Sequence, residues 1–232
     1  MKRNASSRLR LHQTRHAAPG FSLIEMLIGS TIFVVVLLAI YIVLDTSRAD
    51  YAMGAAKSDV QENMRVALES MARELRMAGY APSNSPNDDC ATPPCGVTAS
   101  SASSVTFQAD LDGDTQTDKV AYAFVAPTNL AKPCDPSDST TVGTLTRSAQ
   151  SWVAGAWQSW VAGAWSPVAA TAYEVAQCVK TVTITYRDSA GAVTAVPANV
   201  TRITLSIRGE ENARGQTART YALATDVWLR NF

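Results

Sequence analysis

The hydrophobic residues of this 232-residue chain follow three successive patterns. Residues 21–44 form an almost uninterrupted apolar run, long enough to cross a bilayer as a helix, which needs about 20 such residues. Residues 45–78 repeat apolar side chains every three or four positions, as one face of an amphipathic helix does. Later segments alternate apolar and polar residues, which is the period of strands with one buried face. The patterns predict one long helix followed by an antiparallel sheet.

The second half of the predicted helix carries the apolar stripe that would pack on the sheet. The stripe consists of Val60, Met64, Ala67, Leu68, Met71, Leu75 and Ala78. The opposite face is charged and consists of Arg65, Glu69, Arg73, Glu74 and Arg76. Glu69 and Arg73 have the spacing of a favourable i,i+4 pair. Gly79 and Pro82 predict the end of the helix, and Gly29 and Gly54 are places where it could bend.

Six segments after the helix have the alternation of strands. They are residues 105–107, 120–124, 144–147, 182–186, 203–207 and 221–223. Asp188–Gly191 and Gly209–Asn212 are predicted turns, and residues 82–104 have the composition of a loop. The expected fold class is α+β, in which the second half of the long helix packs on an antiparallel sheet.

The residues before the apolar run are basic. Residues 1–20 contain no acid and include five cations: Lys2, Arg3, Arg8, Arg10 and Arg15. A basic leader before an apolar run is typical of an export signal whose leader stays in the cytoplasm. The best small-residue cleavage site, between Gly20 and Phe21, lies before the run rather than after it. Cleavage there would leave the apolar helix as the mature N-terminus, with a new α-amine on Phe21.

Glu25 is the only charged residue in the apolar run. A carboxylate at membrane depth costs about 2–3 kcal/mol or more and usually has a partner that offsets this cost. The rest of the run contains no partner for it. The α-amine of Phe21, one helical turn away on the same chain or supplied by a neighbouring chain, is the expected partner.

The residues Gly20-Phe21-Ser22-Leu23-Ile24-Glu25 resemble the prepilin signature of type IV pilins and pseudopilins. The resemblance implies cleavage after Gly20 by prepilin peptidase, N-methylation of Phe21, and a role for Glu25 in docking the subunit into a helical filament. A Lys or Arg often precedes the glycine of this signature, whereas this chain has Pro19. The implied fold is pilin-like.

Residues 61–65, 74–80 and 227–231 are similar to those of the PilW group of minor pilins, and the resemblance implies a strand over 227–231. This resemblance implies a subunit that helps to initiate or cap pilus assembly, with other major and minor pilins and the inner-membrane assembly platform as partners. The expected organisation is a leader (1–20), a transmembrane and assembly helix (21–44), an amphipathic continuation (45–80) and a β-rich domain (81–232). The expected location is the inner membrane as a single-pass protein, with the C-terminal domain in the periplasm, and then the pilus at the cell surface.

The composition argues against catalysis and against nucleic-acid binding. Both histidines, His12 and His16, lie in the leader, so the mature chain would lack Ser-His-Asp and Cys-His sites and His-ligated zinc. No P-loop or GxGxxG motif is present. The formal charge of the whole chain is zero, but the mature chain has 15 basic and 20 acidic residues, a charge of −5 before its amino terminus is counted. A mildly acidic domain lacks the basic surface that nucleic acid needs. We expect a structural protein with no required cofactor.

The four cysteines all follow the apolar run and are Cys90, Cys95, Cys134 and Cys178. An even number outside the membrane indicates disulfides. Among three possible connectivities, we favour Cys90–Cys95, which closes a short loop, together with Cys134–Cys178. A zinc site is disfavoured by the spacing and by the oxidising compartment.

The segment 110–118, here called the acidic loop, is a candidate calcium site. Asp110, Asp112, Asp114 and Asp118 occupy even offsets around Gly113. Hard oxygen ligands at such spacing suit Ca²⁺, although the loop lacks the glycine position and final glutamate of an EF-hand. The alternative is a solvated acidic loop between two strands.

Residues 150–157 and 158–165 are identical copies of the sequence QSWVAGAW and contain four of the five tryptophans. Two copies are too few for a solenoid. We interpret the repeat as a duplication that lengthened a hairpin or loop, with an aromatic contact surface as the alternative. Two other functions stay open for the whole chain: a minor pseudopilin of type II secretion, of the J kind, and a membrane-anchored adhesin or binding module.

Overall fold

The computed structural model of the chain describes residues 20–80, 96–126, 142–153, 155–161, 164–166, 170–211 and 219–230. The chain divides into two units, with the boundary between Arg48 and Ala49. The first unit contributes the apolar half of the helix, and the second contains the sheet and the core.

Helix α1 spans Leu23–Arg76 and confirms the prediction of a long N-terminal helix. It contains an 18-residue window with a mean hydropathy of 2.9, in which no residue is buried. This part of α1 is long and apolar enough to cross a membrane. Gly29 and Gly54 both lie inside α1, which continues through them without a break.

The predicted apolar stripe is the face of α1 that enters the core of the second unit. All seven of its residues are buried, six on α1 and Ala78 just after its end, and they join strand side chains in one hydrophobic cluster. The helix ends at Arg76, and Gly79 follows with a φ of 80°. Glycine adopts this left-handed conformation without a Cβ penalty, which confirms the predicted helix stop.

The sheet of the described residues has nine strands, all paired antiparallel. They are β1 (Val97–Ser100), β2 (Ser104–Ala109), β3 (Asp118–Val125), β4 (Gly143–Val153), β5 (Ala156–Val161), β6 (Ala164–Ser166), β7 (Tyr173–Arg187), β8 (Arg202–Glu211) and β9 (Arg219–Trp228). The main path is β1-β2-β3-β4-β7-β8-β9, and β5 pairs with both β4 and β6. A short 3-10 helix, Pro197–Asn199, precedes β8. The predicted α+β, pilin-like architecture is therefore confirmed.

The six segments predicted as strands lie inside β2, β3, β4, β7, β8 and β9. The turn at Asp188–Gly191 is also confirmed, since the Gly191 N–H donates to the Asp188 carbonyl at 3.0 Å. The strand predicted over 227–231 is the end of β9, which stops at Trp228.

The turn predicted at Gly209–Asn212 is wrong, because β8 continues to Glu211 and Gly209 pairs with Tyr221. A Cβ on Gly209 would lie 2.6 Å from Sδ of Met64 and 2.9 Å from Cγ1 of Val60. Glycine therefore stands in this strand to let α1 approach the backbone closely, and it does not mark a turn.

The same substitution at two glycines is expected to have opposite effects on stability. Gly209→Ala should destabilise the second unit by about 1–3 kcal/mol, because the added methyl group overpacks the buried Met64 and Val60. Gly54→Ala should stabilise it by up to about 1 kcal/mol, since a Cβ there meets nothing within 4 Å and alanine favours the helix. Thermal unfolding of the full chain in detergent, followed by circular dichroism, measures both. Equal effects of the two substitutions would contradict the close approach.

A largely buried polar cluster also joins α1 to the sheet. The Glu74 carboxylate accepts hydrogen bonds from Nε of Arg147 on β4 and from the hydroxyl of Tyr122 on β3, both at 2.9 Å. The side chains of Glu74 and Arg147 are each only 15% exposed. Burial and the charge of Glu74 raise the pKa of the Tyr122 phenol, so it stays a hydrogen-bond donor. Glu74 thus belongs to the interface with the sheet, whereas on the exposed face Glu69 forms its ion pair with Arg65 at 2.9 Å.

Candidate functional site

The predicted processing site lies immediately before α1. Ser22 begins the first turn, where its carbonyl accepts the N–H of Glu25 at 3.0 Å and that of Met26 at 3.1 Å. Glu25 is thereby fixed in the first helical turn, where a negative charge is favoured by the helix dipole. Phe21 precedes the helix and is four residues before Glu25, so an α-amine created there would be close to the carboxylate in sequence.

Gly20 and Phe21 are both exposed, and the Phe21 side chain is 80% exposed. A Cβ on Gly20 would meet nothing within 4 Å. Nothing in the described fold therefore requires a glycine at position 20. The leader before it, residues 1–19, lies outside the described residues.

The acidic loop connects β2 to β3 and brings three of its four aspartates together. Carboxylate oxygens of Asp110, Asp112 and Asp114 lie within 4.8 Å of one another. Asp110 is buried, and its two oxygens accept the N–H groups of Gly113 at 2.8 Å and of Thr115 at 3.3 Å. The group does not include Asp118, which accepts the Leu111 N–H at 3.3 Å and the hydroxyl of Ser151.

The charges of the acidic loop are crowded. Desolvation raises the pKa of Asp114, and the nearby charge of Asp112 raises it further. Burial also raises the pKa of Asp118, although the hydrogen bonds from Ser151 and Leu111 act in the opposite direction. A hard divalent cation among Asp110, Asp112 and Asp114 would relieve this repulsion, and each carboxylate oxygen that accepts one N–H keeps a second lone pair. The three side chains therefore fit Ca²⁺ in donor type and spacing.

The acidic loop is joined to the first copy of the repeat. Besides the bond between Ser151 and Asp118, the Trp152 N–H donates to the Thr117 carbonyl at 2.8 Å. The Lys119 ammonium lies 4.4 Å from the ring centroid of Trp157 in a cation–π contact. The loop and the first copy are therefore held together by backbone and side-chain contacts.

Each copy of the repeat builds one hairpin. In the first copy Trp152 pairs with Trp157 and Val153 with Ala156, and their counterparts in the second copy pair in the same register, as Trp160 with Trp165 and Val161 with Ala164. The rings of Trp152 and Trp157 meet edge to face with their centroids 5.1 Å apart. The duplication thus lengthened a hairpin by one strand, and the pairing register is contained in the repeated unit itself.

Deleting residues 158–165 is expected to change the melting temperature less than the single substitution Trp152→Ala. The deletion keeps the first hairpin and places Ser166 at the position of Gln158. Residues 167–172 reach up to about 20 Å when extended, which is long enough to span the position of the deleted strand. Trp152→Ala removes the aromatic pair, which stabilises by about 0.5–1.5 kcal/mol beyond its buried area. Differential scanning fluorimetry of the full chain compares the two. If the deletion lowers the melting temperature more than Trp152→Ala does, the second copy is part of the core. If the deletion leaves assembly and surface binding unchanged, the interpretation of the repeat as an aromatic contact surface loses its support.

Of the predicted disulfide residues, Cys90, Cys95 and Cys134 lie outside the described residues. Cys178 is buried on β7 and is disulfide-bonded. Its φ of 60° coincides with shifts in the register of β7 against β4 and β8. The proposed pairing with Cys134 stays a prediction.

Glu74, Tyr122 and Arg147 are the polar residues whose importance the sequence did not reveal. Their positions are separated by tens of residues, so no local spacing connects them. The one available signal is the alternation of β3 and β4, which places Tyr122 and Arg147 on the same face as the buried Val120 and Leu145.

Residues 15–41 match the family model for the prokaryotic N-terminal methylation motif. No curated protein matches the chain. The match covers Gly20, Phe21 and Glu25, and it ends before the residues that carry the narrower resemblance to the PilW group. Together with the long apolar helix, which fits single-pass membrane anchoring, the motif supports a type IV pilin-like prepilin.

Proposed function

We propose that this chain is a minor type IV pilin, a structural subunit that helps to initiate or cap a pilus after prepilin peptidase cleaves between Gly20 and Phe21. The observation that carries the proposal is the methylation motif over residues 15–41, which leads directly into an exposed apolar helix. The glycine at position 20, which the chain's own fold does not need, is accounted for by recognition of the cleavage site. N-methylation of Phe21 belongs to the same proposal.

Assembly would follow from the chemistry of the N-terminal helix. In the bilayer its exposed apolar side chains contact lipid, and in a filament they contact the helices of neighbouring pilins. Glu25 sets the position of the helix along its neighbours in the filament, because its carboxylate is stabilised where it meets the α-amine of Phe21 on a neighbouring subunit. The partners are major and minor pilins and the inner-membrane assembly platform. The leader stays cytoplasmic, and the second unit is periplasmic before assembly and at the cell surface afterwards.

Mass spectrometry of the N-terminus in membrane and sheared-filament fractions tests the proposal. The expected species begins with methylated Phe21 and is present in both fractions together with other pilins. An uncleaved N-terminus would contradict the processing, and a processed chain confined to the membrane fraction would favour the type II secretion pseudopilin. A chain that copurifies with no other pilin would favour the anchored adhesin.

We also propose that the acidic loop binds Ca²⁺ through Asp110, Asp112 and Asp114. The proposal is supported by the convergence of these carboxylates, and the pKa of Asp114 is raised first by desolvation and then by the charges of Asp112 and Asp110. When bound, the cation would supply charge neutralisation and fix the loop beside the first copy of the repeat.

Calcium is expected to raise the melting temperature of the full chain in detergent. A ligand at 100 times its dissociation constant stabilises by about 2.7 kcal/mol, which corresponds to roughly 5–10 °C for a domain of this size. Asp112→Asn should remove most of this shift, whereas Asp226→Asn, at an exposed position of β9, should keep it. No shift and no heat in a calcium titration would contradict the proposal.

The pH dependence of stability tests the electrostatics of the acidic loop without calcium. Because the pKa values of Asp114 and Asp118 are raised in the fold, the folded chain binds these two protons more tightly than the unfolded chain. Protonation of the two groups therefore stabilises the folded chain as the pH falls into the carboxylate range near pH 4. This contribution to the free energy of unfolding is lost as the pH rises through their folded pKa values. Asp112→Asn should weaken this dependence, since it removes a charge that raises both.

A further inference from the structure

Four side chains form a row across one end of the sheet, here called the arginine row. Val193 pairs with Arg187 at the end of β7. Arg187 pairs with Arg202 at the start of β8, and Arg202 pairs with Trp228 at the end of β9. Directly paired residues of antiparallel strands lie on the same face of the sheet. Ile203, which follows Arg202, is buried in the core with α1, so the arginine row lies on the face turned away from α1.

The two arginines of the row oppose each other without a carboxylate in contact. Like charges placed directly opposite on neighbouring strands destabilise a sheet. Among the described residues, neither Arg187 nor Arg202 forms an ion pair. Asp188, the acid next to Arg187, instead accepts the N–H groups of Ala190 at 3.0 Å and of Ala192 at 2.9 Å. The pair of positive charges therefore costs stability in the fold as described.

Arg202 is unusual in a second respect, because its Nε is buried and has no hydrogen-bond acceptor within the described ranges. Its guanidinium lies 5.1 Å from the ring centroid of Trp228 in a cation–π contact. Trp228 is 59% exposed, so much of the indole stays open to a ligand. Arg187, in contrast, donates from Nη1 to the Gly191 carbonyl at 2.9 Å. A buried donor without an acceptor is rare in native folds and costs stability, so its retention points to a function.

We propose that the arginine row binds an acidic polysaccharide whose sugar units carry a carboxylate. The carboxylate accepts hydrogen bonds from the guanidinium of Arg202, since a planar guanidinium matches a carboxylate with two parallel bonds. The same negative charge offsets the repulsion between Arg202 and Arg187. The open part of the Trp228 indole is a flat apolar surface for the C–H face of the sugar ring.

The surroundings of the arginine row favour a sugar over a polyphosphate. Asp226 and Thr204 pair with each other on the same face, two positions along from Trp228 and Arg202 and about 7 Å away. The Asp226 carboxylate repels a chain of phosphates, whereas it accepts hydrogen bonds from sugar hydroxyls, as the Thr204 hydroxyl also does. The acidic balance of the mature chain disfavours a nucleic acid as well.

A protein surface also fits the arginine row less well than a sugar does. A specific protein interface buries about 800 Å² on each partner, and its centre is depleted of charge. In the arginine row the two apolar side chains, Val193 and Trp228, stand at the ends, with both charges between them. The strand positions that follow on the same face, Thr183, Thr185 and Ser206, are small and polar. One carboxylate and one ring face match the size of the site.

Biolayer interferometry with the purified full chain in detergent tests the proposal. The immobilised probe is polygalacturonate, and its methyl ester is the matched control, which keeps the sugar rings and removes the charges. EDTA in the buffer excludes calcium bridges between the probe and the acidic loop. We expect saturable binding to polygalacturonate and binding about tenfold weaker, or less, to the ester. Immobilised polyglutamate and oligothymidylate, which carry negative charge without a sugar carboxylate, should also bind about tenfold more weakly.

Three variants assign the binding to individual side chains. Arg202→Gln should weaken binding to polygalacturonate about tenfold or more, because it removes the charged pair of hydrogen bonds. Trp228→Ala should weaken it as well, through loss of the ring contact. Arg208 is an exposed arginine on the same face of β8, opposite Thr181 and Ala222, so Arg208→Gln is the matched control and should leave binding unchanged. Neither arginine variant should lower the melting temperature, since neither guanidinium forms an ion pair among the described residues.

The proposal is overturned if polygalacturonate does not bind, or if the ester, polyglutamate or oligothymidylate binds as tightly. An equal loss of binding in Arg208→Gln and Arg202→Gln would indicate general attraction to positive charge and would also overturn it. A lower melting temperature of Arg202→Gln would mean that Arg202 serves the fold rather than a ligand. The assay needs neither cleavage after Gly20 nor assembly, so its outcome is independent of the proposed pilin function.

Discussion

Replacing Glu25 with alanine is expected to leave membrane insertion intact and to reduce incorporation into filaments about tenfold or more. Insertion depends on the apolar length of α1, which the change increases. In the proposed function, incorporation depends on the carboxylate, because a charge at membrane depth costs about 2–3 kcal/mol and pairing with the α-amine of a neighbouring subunit would recover that energy in the filament. Each 1.4 kcal/mol of lost pairing lowers an equilibrium constant tenfold. Quantitative blotting of membrane and sheared-filament fractions measures the two quantities.

Glu62→Ala is the matched control for this prediction. Glu62 is an exposed acid on the same helix, beyond the apolar segment, so its loss should change neither insertion nor incorporation. Normal incorporation of Glu25→Ala would refute the pairing role. Loss of insertion would show that Glu25 acts earlier, in recognition of the leader and helix by the export machinery.

Replacing Glu74 with alanine is expected to destabilise the second unit by about 2–4 kcal/mol. The change leaves the guanidinium of Arg147 and the hydroxyl of Tyr122 without their shared acceptor in a region where the Arg147 side chain is 15% exposed. Removing one member of a buried pair costs about 3–5 kcal/mol, and partial exposure lowers this figure here. Urea unfolding of the full chain in detergent, followed by circular dichroism, measures the difference.

Glu69→Ala provides the comparison on the same helix. Its ion pair with Arg65 is exposed, and exposed i,i+4 pairs stabilise by only a few tenths of a kcal/mol. We expect a change below about 0.5 kcal/mol. Equal effects of the two substitutions would mean that Arg147 finds another acceptor or that water reaches it freely.

The parts of the fold that the sequence predicted are those whose signal is periodic. The stripe from Val60 to Ala78 repeats at helical spacing, and the strand around Ile203–Ile207 alternates, because each has one buried face. The processing site at Gly20 and Phe21 stays a prediction, and it depends on a local motif that includes Glu25 and lies within the matched residues 15–41.

The parts that the sequence did not predict depend on contacts between distant residues or on irregular backbone. Strand β1 is short and shifts register, and the first half of β7 loses its alternation near Cys178, where φ is positive. Gly209 has the composition signal of a turn, but only the approach of Met64 on α1 shows why it lies in a strand. The cluster around Glu74 joins three elements, and a spacing rule along one element does not detect it.

The repeat has a consequence for how this gene can vary. Because one unit of eight residues encodes one whole hairpin with its own pairing register, unequal recombination between the two copies adds or removes a complete strand and keeps both the reading frame and the pairing of the neighbouring unit. Single-residue insertions in the same segment would move its side chains to the opposite face. Recombination between the copies would therefore change the length of this hairpin in steps of whole strands, in either direction.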